Sequence, residues 1–63
     1  MDNKKTLKAL DELTRSEYST ATALDAALTE AEDGELRKNY RKWRDSHIRQ
    51  AEALQGRIKE LWA

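Results

Sequence analysis

The chain has no cysteine, no proline and no phenylalanine, and only two glycines among its 63 residues. Each absence removes a class of structure. Without cysteine there is neither a disulfide nor a thiolate metal site, the two staples small domains use most often. Without proline, and with glycine only at Gly34 and Gly56, little interrupts a helix over long stretches. Apolar runs are short, and none approaches the roughly 20 residues a membrane-spanning helix needs. The opening Met1-Asp2-Asn3-Lys4-Lys5 carries two lysines with no apolar run behind them, so it does not form a signal-peptide pattern. These absences lead us to expect a soluble, cytoplasmic protein with no membrane segment. No glycine-rich phosphate loop occurs. The single histidine, His47, has Ser46 as its sequence neighbour rather than one helical turn away, which gives no support for a nucleophilic triad.

What the chain does have is charge. Lys plus Arg and Asp plus Glu number 12 each, for a net charge of zero, but the halves differ. Residues 1 to 34 hold Lys4, Lys5, Lys8 and Arg15 against eight carboxylates, a balance of −4. Residues 35 to 63 hold eight cations against Glu35, Asp45, Glu52 and Glu60, a balance of +4. An acidic segment followed by a basic one favours the two docking on each other.

The apolar positions say how. Leu7, Leu10, Thr14, Glu17, Ala21, Leu24, Leu28 and Ala31 follow steps of three and four, and so do Leu36, Tyr40, Trp43, His47, Ala51, Leu54, Ile58 and Leu61. This is the stripe of two amphipathic helices. Between them lies Ala31-Glu32-Asp33-Gly34-Glu35-Leu36. There Gly34 suits a left-handed helix end, Asp33 can cap the following helix, and Glu35 meets its positive dipole end. We therefore expect one all-α domain over residues 1–63: helix 1 at about 4–32, a turn at 33–34, and helix 2 at about 35–61. Two helices of this length cannot enclose a core. The antiparallel hairpin is expected to self-associate as a homodimer or higher homo-oligomer, most simply a four-helix bundle.

A turn centred between Asp33 and Gly34 places Glu17 level with Gln50 and one helical turn from His47. It also sets Asp25 level with Lys42, Glu30 with Arg37 and Arg15 with Glu52. Glu17, His47 and Gln50, with Thr14 and Thr20 nearby, thus form a polar layer in an apolar seam. A second chain would double it, and imidazole with carboxylate inside a bundle is a donor set suited to iron, zinc or manganese. The alternative is a layer whose hydrogen bonds only set register. A third reading uses the basic stretch from Arg37 to Arg44. Arg37, Arg41 and Arg44, with Tyr40 and Trp43 between them, could contact phosphates and stack a base, as in an RNA-binding bundle of the Rop type. Against it, Tyr40 and Trp43 belong to the seam, and Asp25, Glu30 and Glu32 stand ready to pair with the cations, so the expectation points away from nucleic acid.

Glu17, the Asp33-Gly34-Glu35-Leu36 turn, Trp43-Arg44-Asp45 and the segment from His47 to Leu54 together resemble one half of a ferritin-like protein, especially the encapsulated ferritin type built from hairpins. The resemblance runs from about Leu7 to Leu61. It implies a Glu from the first helix, a Glu-x-x-His pair from the second, a di-iron ferroxidase site completed by two chains, and an encapsulating shell as partner. This chain departs from that pattern. Aligned on the turn, Glu17 matches, but the second-helix positions read His47 and Gln50; aligned on the histidine, the Glu position is Arg44. One carboxylate per chain is lost either way, which leaves two Glu17 and two His47 in a dimer, with Gln50 as a weak or supporting group. That set can hold an iron or other divalent ion but is incomplete for ferroxidase catalysis.

Overall fold

The computed structural model describes residues 3–62. It consists of α1, Asn3–Glu30, and α2, Gly34–Trp62, joined by residues 31–33 and packed along their length. The hairpin is drawn out to 50 × 14 × 12 Å, so it is one helix layer thick. Among the described residues no helix is long and apolar enough to cross a membrane.

The reversal comes earlier than the sequence suggests, over three residues, 31–33, rather than two. Ala31 still donates its backbone N–H to Ala27 (2.9 Å), and the next helix begins at once from Asp33. The Asp33 carboxylate accepts from the N–H of Glu35 at 2.9 Å, and its carbonyl accepts from the N–H of Arg37 at 2.9 Å. These two bonds make Asp33 the N-cap that satisfies an otherwise orphaned amide. Gly34 is not left-handed: no described residue has positive φ. It is the first residue of α2, because the Asp33 cap opens a right-handed helix there. The turn is therefore centred on Glu32, one to two residues before the position expected.

The first stripe is as expected from its period. Leu7, Leu10, Thr14, Glu17, Ala21, Leu24, Leu28 and Ala31 are all buried or half-buried, joined only by Ala27. In α2 the stripe splits. Tyr40, His47, Ala51, Leu54, Ile58 and Leu61 turn toward α1, while Leu36 and Trp43 remain exposed. Ile48, which the stripe omits, is half-buried on the other side of Ala51.

The closest packing is made by small side chains. Ala51 is fully buried, and Thr14, Ala21 and Leu28 are nearly so. Among the described residues no large side chain is fully buried. Thr14 satisfies its hydroxyl by donating to the carbonyl of Leu10 at 2.7 Å, which leaves its methyl for the seam. The Ser19-Thr20-Ala21-Thr22 run, a poor helix former by propensity, stays helical. Ala21 anchors it in the seam, and the Thr22 hydroxyl bonds the carbonyl of Tyr18 at 2.9 Å.

Candidate functional site

The 3.6-residue repeat gives the hairpin two unlike sides. On one side α1 presents Leu10, Leu13, Glu17, Leu24 and Ala31, and α2 presents Leu36, Tyr40, Trp43, His47, Leu54 and Leu61. This apolar side leaves large groups in solvent: Leu13 is 52% exposed, Trp43 47% and Leu36 40%. The Tyr40 and Trp43 rings meet edge to face at 5.7 Å, a favoured aromatic geometry. On the opposite side, two shallow grooves run between the helices. One is lined by Tyr18, Thr22, Asp25, Arg44, Asp45 and Ile48, and the other by Asp11, Glu52, Gln55 and Lys59.

Glu17 and His47 sit at the centre of the apolar side. The Glu17 Oε2 and His47 Nδ1 atoms are 2.7 Å apart, and both side chains are partly covered, His47 at 33% exposure and Glu17 at 21%. An ionised carboxylate only accepts, so it holds the hydrogen on Nδ1, and in the neutral ring Nε2 keeps its lone pair. A histidine oriented by a carboxylate in this way is the arrangement found behind many metal-ligating imidazoles. Along the hairpin, Glu17 lies at the midpoint of α1 and His47 one residue before that of α2.

Gln50 stands apart from this contact. It is exposed, because the turn centred on Glu32 brings His47, not Gln50, level with Glu17. Thr20 is exposed as well. Among the described residues of the single chain no group of three or more His, Cys, Asp and Glu side chains gathers. Arg44 faces the polar side. Its Nη1 donates to Asp25 at 2.7 Å, and its Nε and Nη2 donate to Asp45 at 3.2 Å each. The hydrogen bond to Asp25, followed by that to Asp45, raises the guanidinium pKa above its ordinary value.

The remaining ion pairs differ from those the turn suggests. Asp25 pairs with Arg44 rather than Lys42, and Arg15 pairs with Asp11 on its own helix, at 3.1 Å, rather than with Glu52. Arg57 pairs with Glu60 one turn on, at 2.7 Å. Long side chains lean toward the N-terminus of their own helix, so level backbones do not dictate which heads meet. Of the three arginines on which the alternative nucleic-acid reading rests, Arg44 is engaged internally, while Arg37 and Arg41 are exposed. Tyr40 and Trp43 lie on the apolar side, away from Arg41. The chain matches no protein-family model, no curated protein and no solved structure.

Proposed function

We propose that the chain is a self-assembling hairpin whose apolar side pairs with that of a second copy to build a four-helix bundle. Within that bundle the two Glu17–His47 pairs form a divalent-metal site. The observation that carries this reading is the Glu17–His47 contact at 2.7 Å, set midway along an exposed apolar side. The midpoint position matters because a two-fold pairing, with the turns together or apart, puts the two pairs at the same level. Two imidazoles and two carboxylates then converge, a donor set suited to one iron or zinc ion.

Surface area supports pairing. The hairpin exposes 5114 Å², whereas a compact monomer of its mass exposes about 4,200 Å². The excess, roughly 900 Å², is close to the ~800 Å² that each partner buries in a standard-sized interface. The ferritin-like resemblance supports the same arrangement, although Arg44 in place of a carboxylate argues for one bound ion rather than a di-iron ferroxidase. A resident ion would supply Lewis acidity; His47 would offer it Nε2, while Glu17 would orient the ring through Oε2 and leave Oε1 as the further donor.

The expected result is a dimer whose melting temperature rises with protein concentration. It should bind one zinc or ferrous ion per two chains, with binding abolished in His47→Ala. A monomer whose melting is independent of concentration overturns the assembly. A dimer that binds no more metal than His47→Ala overturns the metal site. That outcome favours the second reading, in which Glu17 and His47 satisfy each other and set the register of the bundle.

A further inference from the structure

α2 carries a basic strip on its outer side, away from both α1 and the apolar side. Lys38, Arg41, Lys42 and Arg49 line one shallow groove there, together with Asp45. Sequence reasoning expects such cations to be neutralised by Asp25, Glu30 and Glu32. Among the described residues they are not: none of the four enters an ion pair or a side-chain hydrogen bond. Asp25 is taken by Arg44, and so is Asp45, the one carboxylate in the groove. The chain is neutral as a whole, yet this strip holds four cations facing solvent.

We propose that this strip docks the sugar-phosphate backbone of double-stranded nucleic acid. From Lys38 to Arg49 the strip spans about 16 Å at 1.5 Å per residue, the rise of roughly five nucleotides along one strand. Lys38 and Lys42 are one helical turn apart and Arg49 lies two turns beyond Lys42, so the cations follow a line rather than a cluster. The groove contains no apolar or aromatic side chain. That excludes base stacking and the apolar insertion by which amphipathic helices hold membranes, and leaves phosphate contact without sequence readout. A second copy of this chain is a poor occupant, since the outer side of α1 offers Glu12 and Glu30 separated by Ser16, Ser19, Ala23 and Ala26. The strip stays exposed when the apolar sides pair, so the inference stands independently of the bundle and its metal.

The test is fluorescence anisotropy with a mixed-sequence duplex of about 20 base pairs at 50 to 200 mM salt, protein rising to about 100 µM, the weak end of non-specific affinity. With four phosphates engaged, the logarithm of affinity should fall against the logarithm of salt with a slope of about −3.6, roughly a 150-fold loss over that range. The double variant Lys38→Gln, Lys42→Gln should flatten the slope by about 1.8, and Arg57→Gln with Lys59→Gln should leave it unchanged. Glutamine is a good helix former, so both variants keep the fold. The proposal is overturned by absence of salt-dependent binding. It is equally overturned if the control variant flattens the slope as much, or if anionic lipid vesicles bind while the duplex does not.

Discussion

Gly56 shows how differently one residue reads in sequence and in space. In a helix interior it suggests either close packing or a tolerated defect. The space where its Cβ would stand is open, with nothing but its own stretch of helix within 4 Å. Glycine there costs backbone entropy and gives no approach in return. Gly56→Ala should therefore raise stability by about 1 kcal/mol, read as a higher urea midpoint at fixed protein concentration. An unchanged or lower midpoint would mean that the groove beside Gln55 and Ile58 is filled in the assembled protein. Glu17 and His47 were legible as partners because the seam is apolar and they are not. Gln50 was grouped with them only through the assumed centre of the turn, and its exposure shows how far a shift of one or two residues rotates a side chain around a helix.

At the scale of the elements, the helices were legible because their period repeats over seven turns and no proline breaks it. The stripe of α1 could be read residue by residue. That of α2 could not, because Leu36 and Trp43 satisfy the same period as Ala51 while standing on the flank, and periodicity fixes a direction but not how far a partner reaches around it. The junction was legible in its chemistry but not in its geometry: Asp33 caps α2 as expected, while the glycine beside it is simply the first helical residue. Removing the cap isolates its effect. Asp33→Ala should cost about 1 kcal/mol and Asp33→Asn much less, measured by thermal unfolding at matched concentrations. Equal losses from both would mean that carboxylate charge at the dipole, rather than the hydrogen bond to Glu35, supplies the stability. The pairing of cations lay beyond sequence altogether, since it depends on which flexible head reaches which carboxylate.

For the whole molecule, the proposed pairing puts the interface on the apolar side, and Trp43 can report it. Trp43, 47% exposed, lies on the apolar side, whereas Trp62, 78% exposed, lies at the chain's end. In a Trp62→Phe background, the emission of Trp43 should move to shorter wavelength as protein concentration rises through dimerisation. Leu13→Glu should hold it at the long-wavelength limit by placing a charge on the same side. Emission that ignores concentration while sedimentation reports a dimer would place the interface on the grooved side instead.

The central position of the Glu17–His47 pair has a consequence for chain connectivity. Asn3 and Trp62 lie together at the end of the hairpin remote from Glu32. Two copies joined in tandem could fold with turns together over a short linker, or with turns apart over a crossover of nearly the 50 Å length of the hairpin. In both topologies of the proposed bundle the two pairs stand at the same height. The proposed site is therefore indifferent to how, or whether, its two halves are covalently linked, and a gene duplication could pass through either arrangement without dismantling it.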